Sequence, residues 1–275
     1  MPLITVDPEL CNRDGICAAA CPMKIIAYDA GGGETPSLVR GAEALCINCG
    51  HCVAVCPAAA LRHRNLSPSD CLPVNPEWAL DPARTEHFLR CRRSIRNYRK
   101  KPVTREVMSR LLDMARYAPS GHNLQPVKWL VVDGPDKVHE LTAHVTDWMR
   151  FMIRDHPEMA GPMHLERIVA GWKNGVDVIC RNAPALVLAY AGKKDRTAPA
   201  ACTLAMAYLA LAAPSLGLGS CWAGYFGMAA AQWPGLQAAL GLPEGTVVYA
   251  AMMVGYPRFA YHRMPARKPA DIRWV

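Results

Sequence analysis

Seven cysteines crowd into the first 56 residues of a 275-residue chain that holds 12 in all. Four of them form the run Cys46-Ile-Asn-Cys49-Gly-His-Cys52-Val-Ala-Val-Cys56-Pro57. This C-x2-C-x2-C-x3-C-P spacing is that of a bacterial iron–sulfur run. Three thiolates two residues apart on a tight loop can each reach one iron of a cubane, while the fourth points along the following helix. A zinc site uses its four ligands in pairs. The run therefore points to a [4Fe–4S] cluster and to one-electron chemistry. An earlier run is similar but altered: Cys11-Asn-Arg-Asp14-Gly-Ile-Cys17-Ala-Ala-Ala-Cys21-Pro22 carries Asp14 where the second cysteine would stand.

Over residues 1 to about 65 the chain thus resembles a two-cluster bacterial ferredoxin with one ligand replaced. In that family the fourth cysteine of each run serves the other cluster. The resemblance assigns one [4Fe–4S] cluster to Cys21, Cys46, Cys49 and Cys52, and a second cluster to Cys11, Cys17 and Cys56, with or without Asp14. Two readings of Asp14 stand. Its carboxylate or a water completes a four-iron cubane, making that iron the labile one, because oxygen is a harder ligand than thiolate. Alternatively Asp14-Gly15 is a turn dipeptide and the centre is [3Fe–4S]. The four-iron reading is the expectation. Strand-like runs at 24–28 and 36–39 flank Gly31-Gly32-Gly33, a hairpin signal, and short helices are expected from Ala18 and Val53. Some 60 residues bury little core, so the clusters would also serve as staples.

Residues 66–83 are rich in Pro and polar residues and read as an extended linker. Charge changes across it. Residues 1–66 hold 5 basic and 6 acidic side chains, whereas the whole chain carries a formal charge of +8. Beyond the linker, apolar runs at 127–132, 185–190 and 246–254 read as strands buried on both faces. Helices are expected at 105–117, where Val107, Met108, Leu111, Leu112 and Ala115 make one stripe, and at 201–213. The stretch 138–179 is helix-like and irregular, rich in Trp and Met, and reads as core or dimer contact, the alternative being a cover over a pocket that sets substrate choice. Helices on both faces of a central sheet follow. No internal repeat is visible in this larger part.

Positions 90–101 carry seven basic side chains. Arg forks with an interposed hydroxyl suit one phosphate group better than a duplex, and no nucleic-acid motif accompanies them. Neither G-x-G-x-x-G nor a P-loop is present, and on spacing alone Gly217-Leu-Gly-Ser-Cys221-Trp222 reads as a tight helix-to-strand turn. Five segments nevertheless fall in order: Arg92-Arg93-Ser94-Ile95-Arg96; Ala118-Pro119-Ser120-Gly121-His122-Asn123-Leu124-Gln125-Pro126; Ala183-Pro184; Leu216–Trp222; and Gly255-Tyr256-Pro257 ahead of Arg263 and Arg267. On these, residues 86–275 resemble the FMN-dependent nitroreductase family. The resemblance implies that Arg92, Arg93, Ser94 and Arg96 hold the FMN phosphate and ribityl oxygens. It implies that Pro119, Ser120, Asn123 and Gln125 contact the ribityl or ring edge, that Gly219 and Ser220 present backbone to the ring, and that Arg267 reaches the phosphate. It also implies an intertwined homodimer with the site between subunits. One departure is Val127 where an aromatic is usual, with Trp129 two positions on.

The fold class expected is α+β: a ferredoxin-like iron–sulfur domain (1–65), a linker (66–85) and a nitroreductase-like α/β sandwich (86–275), its central sheet flanked by helices. Cys71, Cys91, Cys180, Cys202 and Cys221 lack ligand spacing and read as mostly buried thiols, with Cys71 in the linker the alternative replacement for the missing ligand. No charged residue occurs from Thr197 to Pro243, but Pro214 and several glycines interrupt it, so a core or interface helix is expected rather than a membrane span. Asp7 falls too early for a secretory signal, and a cytoplasmic location is expected. Together the modules imply an oxidoreductase that passes electrons between clusters and FMN to reduce a small electrophile such as a nitroaromatic, quinone or activated alkene. The alternatives are NAD(P)H oxidation with delivery through the clusters to an external redox protein, or an electron-transfer or sensor protein without turnover. No proton donor is identified, and neither nucleic acid nor membrane is expected as a partner.

Overall fold

Short apolar runs around the cysteine loops pair into two small antiparallel sheets. Strand β1 (Ile4–Val6) pairs with β4 (Leu61–His63), and β2 (Ile26–Ala27) with β3 (Ser37–Leu38). Between them lie the short helices α1 (Ile16–Ala20), α2 (Ala42–Leu45) and α3 (His51–Ala54). The core comprises Leu3, Ile25, Ile26, Ala42, Val53 and Leu61, together with the buried Cys17 and Cys21. The computed structural model describes residues 1–275. Its contacts divide it into Met1–Ala79 with His122–Leu124, and Leu80–Gly121 with Gln125–Val275.

The first unit repeats its backbone at an offset of 35 residues. Arg13 and Asn48 take φ of 55° and 52°, Gly15 and Gly50 69° and 73°, and Lys24 and Ala59 52° each. The hydrogen bonds repeat as well: Cys21 N–H to Ala18 O matches Cys56 N–H to Val53 O, both at 3.3 Å. Gly15 and Gly50 begin α1 and α3 in the left-handed region, where a Cβ is disfavoured. Space makes the same demand: a Cβ on Gly15 would lie 2.5 Å from the Tyr28 ring. Residues 66–83 are not simply extended. Their prolines start two 3-10 turns, Pro68–Asp70 and Pro76–Trp78, and then α4 (Pro82–Cys91), because Pro at a first helical position lacks only an N–H that has no partner there.

In the second unit, β5 (Lys128–Asp133), β6 (Ala185–Gly192), β7 (Gly219–Trp222) and β8 (Thr246–Gly255) form an antiparallel sheet in the order β5-β6-β8-β7. The alternation of β6 divides the core. Leu186 and Leu188 pack with α6 (Pro135–Asp155), α8 (Leu165–Lys173), α10 (Gly224–Gln232) and α11 (Pro234–Leu240) on one face. Ala185, Val187, Ala189 and Ala191 pack with α5 (Arg105–Ala115) and α9 (Ala198–Ala212) on the other. A short α7 (Pro157–Ala160) divides α6 from α8. Helix α5 starts where expected because the Thr104 side chain accepts from Val107 N–H.

Two strand expectations need correction. The run at 127–132 is not buried on both faces, because β5 is an edge strand whose Trp129, Leu130 and Val131 are only half-buried. The Gly217–Trp222 segment is more than a turn: Gly217 turns at φ 69°, but Gly219–Trp222 is a strand paired with β8. Pro214 does not end the helical path of α9 either, since a 3-10 turn continues to Leu216. The 19 residues Ala198–Leu216 are long and apolar enough to cross a membrane, and the segment is partly buried within the fold. Here one face of α9, including Cys202, Met206 and Leu209, packs on the sheet, and the other exposes Leu204 and Tyr208. In the 138–179 stretch, Trp148, Met149 and Met152 are core and Met159 is exposed.

Cys180 is fully buried, and burial pushes its thiol from 9.0 up to about 12. Above pH 9 the unfolded chain ionises this thiol while the folded chain does not. The stabilisation is therefore complete below pH 9 and lost as pH rises toward 12, at no more than about 1.4 kcal/mol per pH unit. Urea unfolding between pH 8 and 10.5 is expected to show a shallower loss of stability for Cys180→Ala than for the unsubstituted protein; parallel slopes would contradict this.

Candidate redox and ligand sites

The cysteine runs surround two separate cavities, each lined from both runs. One is lined by Cys21, Cys46, Cys49 and Cys52, closed by Leu3, Ile26 and Leu38. The other is lined by Cys11, Asp14, Cys17 and Cys56, closed by Val6 and Leu61. The left-handed loops place the first three positions of a run around one cavity, and α1 or α3 carries the fourth cysteine to the other. No three His, Cys, Asp or Glu side chains gather tightly enough to hold one metal ion. Sulfurs spread around a cavity suit a multi-iron cluster rather than a lone zinc.

The electrostatics repeat this grouping. Burial pushes the Cys52 thiol up to about 11, and the charges of Cys49 and Cys21 add to it. Burial also raises Cys17, with Cys56, Cys11 and Asp14 adding to it. Each cavity thus holds one thiol, Cys52 or Cys17, that burial keeps protonated and that bound iron would ionise. Asp14 Oδ1 accepts from Ile16 N–H at 3.0 Å, so its carboxylate is oriented by the loop it belongs to. Cys71 takes a different contact, its thiol donating to Ser67 O at 3.6 Å. His63, which sequence reasoning did not single out, lies with Nε2 3.6 Å from Cys46 Sγ.

In the second unit the basic segment after α4 becomes an added rung on the sheet. Ser94 pairs in parallel with Ser220, and Ile95 N–H donates to Ser220 O at 2.9 Å. This docking requires glycine at 219, because a Cβ there would lie 2.4 Å from Ile95 Cγ1. The rung borders a cavity of about 490 Å³, within the usual range for small-ligand sites. Arg93, Arg99 and Lys101 line it with Gly217, Gly219, Ser220, Tyr256 and Tyr261. Arg93 Nε is buried without a hydrogen-bond partner, and its guanidinium carbon lies 5.7 Å from the Tyr261 ring centroid. A buried cationic donor with no acceptor is costly unless an anion occupies the cavity. The extended rung alternates, so Arg93 and Ile95 line the cavity while Arg92, Ser94 and Arg96 do not. Arg99 and Lys101, two of the seven basic residues at 90–101, were not assigned a role from sequence. Arg267 lies in the exposed, irregular chain after β8.

A second cavity of about 110 Å³ is lined by Pro119, Ser120, Gln125, Val127 and Trp129 with Ala201 and Ala205 of α9. Gln125 N–H donates to Ser120 Oγ at 2.9 Å, closing the loop, and His122, Asn123 and Gln125 have φ of 51°, 54° and 46°. Asn123 belongs with His122 and Leu124 to the first unit. Within one chain, six of the residues implied to hold FMN therefore divide between two cavities, Arg93, Gly219 and Ser220 on the larger and Pro119, Ser120 and Gln125 on the smaller, while Arg92, Ser94, Arg96, Asn123 and Arg267 line neither. Both cavities border α9: Ala205 lines one and Ala210 the other, about 7.5 Å apart along the helix axis.

Comparison with known proteins agrees with both halves. Residues 89–256 match the nitroreductase family, and residues 10–61 match a 4Fe-4S dicluster domain. A protein of Thermus thermophilus named NADH dehydrogenase is 31% identical over 192 residues, 64% of this chain and 90% of the relative. The crystal structure of a nitroreductase with bound FMN from Bacteroides fragilis superposes with a TM-score of 0.59 at 26% identity, covering 69% of this chain and 97% of that one. A nitroreductase structure from Desulfitobacterium hafniense shares the fold at TM-score 0.55 and 22% identity, over 70% of this chain and 97% of that one.

Proposed function

Because the chain belongs to the nitroreductase family and carries a 4Fe-4S dicluster domain ahead of it, we propose that it is an FMN-dependent oxidoreductase that moves electrons between iron–sulfur clusters and flavin to reduce a small electrophile. Nitroaromatics, quinones and activated alkenes are the acceptor classes. When bound, iron–sulfur clusters carry single electrons, and FMN accepts them singly and delivers them in pairs. The observation that carries the reading is the buried, partnerless Arg93 Nε beside Gly219 in the larger cavity.

The residues take distinct tasks. Arg93 binds the FMN phosphate by a charge-assisted hydrogen bond, with Arg99 and Lys101 adding positive charge at the cavity wall. Gly219 admits the close approach that places this wall. Ser120 and Gln125, from the smaller cavity, hold the ribityl or ring edge. One chain lines these parts separately, and α9 leaves Leu204 and Tyr208 exposed beside them, so we read the working form as a homodimer in which a second copy completes each site. Fixed cations and N–H donors there stabilise the negative charge that develops on a reduced acceptor. In the first unit, Cys21, Cys46, Cys49 and Cys52 hold one [4Fe–4S] cluster. Cys11, Cys17 and Cys56 hold the second, with Asp14 on the fourth iron, since its carboxylate borders the same cavity as the three thiols. Seven cysteines given to clusters and five others outside any disulfide fit a reducing compartment such as the cytoplasm.

The relative named NADH dehydrogenase favours a second reading, in which NAD(P)H is the donor and the clusters deliver electrons to an external acceptor. Stopped-flow mixing under argon separates the two. Flavin bleaching by millimolar NAD(P)H supports the second, and no bleaching removes it. Arg93→Ala is expected to weaken FMN binding by about 10- to 100-fold, the worth of one hydrogen bond to a charged group, and to leave iron content unchanged. A flavin-free spectrum of the unsubstituted protein would overturn the main reading. For Asp14, protein never exposed to air is expected to lack a [3Fe–4S] EPR signal, and Asp14→Cys to slow loss of the labile iron in air. A three-iron signal before any exposure would exclude the carboxylate ligand.

A further inference from the structure

The two cluster cavities share one backbone pattern but differ in several matched side chains, and one of those pairs puts a hydrogen-bonding ring beside a cysteine in only one of them. Tyr28 and His63 occupy the same place at the 35-residue offset. Tyr28 lays its ring over Gly15, and its hydroxyl donates to Arg13 O. His63 instead turns its ring to a cysteine, with Nε2 3.6 Å from Cys46 Sγ.

The direction of that hydrogen bond follows from the other ring nitrogen. Asn65 N–H donates to His63 Nδ1 at 3.1 Å, so Nδ1 is the acceptor and the proton of the neutral ring resides on Nε2, facing the sulfur. The ring is held rigidly. His63 is 8% exposed, stands opposite Ile4 at the end of β4, and exchanges both backbone hydrogen bonds with Leu66. A donor fixed in a buried, low-dielectric site acts strongly on its acceptor.

We propose that His63 is a positioning residue that tunes one cluster: its Nε2–H donates to Cys46 Sγ and raises the reduction potential of the cluster on Cys21, Cys46, Cys49 and Cys52. This rests on the ligand assignment proposed above. One-electron reduction adds a negative charge that spreads onto the ligand sulfurs, so a donor at Cys46 Sγ stabilises the reduced state more than the oxidised state. Tyr28 makes no such contact, which leaves the cluster on Cys11, Cys17 and Cys56 without this bias.

The test is an EPR-monitored redox titration, with dithionite as reductant, of anaerobically prepared full-length protein carrying His63→Phe or His63→Gln. Phe keeps a ring and removes the donor, and it is expected to lower the reduced-to-oxidised ratio of one cluster about tenfold at a given potential, about 59 mV for one electron. Gln restores an N–H and is expected to recover at least half of that shift. The second midpoint stays in place. An unmoved midpoint in His63→Phe with clusters intact overturns the proposal, as does equal movement of both midpoints, which marks general loosening. Should His63→Phe fail to fold, the unsubstituted protein grown with ¹⁵N-histidine decides. Pulsed EPR of the reduced state is expected to show an imidazole ¹⁵N coupling that persists in His51→Gln and disappears in His63→Gln, and absence of that coupling overturns the proposal. A chain that binds no iron after reconstitution overturns the ligand assignment itself, a result distinct from intact clusters with unmoved potentials.

Discussion

A missing methyl group organises the larger unit. At Gly219 the sheet edge and the segment carrying Ile95 come so close that any Cβ would collide with the Ile95 side chain. That approach lets Ile95 N–H reach Ser220 O and turns an arginine-rich stretch, otherwise free to fan into solvent, into a fixed rung. The next link is electrostatic. Once the rung is fixed, period-two alternation sends Arg93 into the cavity and leaves its Nε buried and without an acceptor.

The smaller unit solves a comparable problem with left-handed turns instead of a sheet edge. Its apolar core is modest, and each cavity includes one thiol, Cys17 or Cys52, that burial alone would keep protonated. Such a unit gains stability when metal replaces those protons, so folding and cluster binding are one equilibrium. The crossing of the fourth cysteine adds to this, since neither cavity is lined from a single run.

Much of this was legible in the residues. Cysteine spacing marked both runs because ligand geometry is local: a few residues of loop decide where three sulfurs go, whereas the crossing of the fourth cysteine came from the resemblance to two-cluster ferredoxins. The buried strands β6 and β8 and the helix α9 were legible as unbroken apolar runs, and α5 from its periodic apolar stripe. The short strand at Gly219–Trp222 was not, because four residues with two small side chains carry no periodic signal and their pairing comes from β8, some thirty residues on. The half-buried state of β5 depends on its place at the sheet edge, which no local pattern records. Among the basic residues, composition marked the run 90–101, but which arginine faces the cavity depended on the register of the rung. His63 escaped notice because a lone histidine has no spacing to read; its signal was its match with Tyr28 across the offset.

That match gives the cluster unit an economy of design. Two seats built on the same backbone need no change of loop or helix to differ, so their distinct electronic character can be written entirely in side chains. Asp14 opposite Cys49 and Tyr28 opposite His63 are such a pair of edits. Each is reachable by substitution at one position, and neither disturbs the glycines that shape the loops. A duplicated holder of this kind can become a directional wire, downhill from one seat to the other, while remaining the same fold twice.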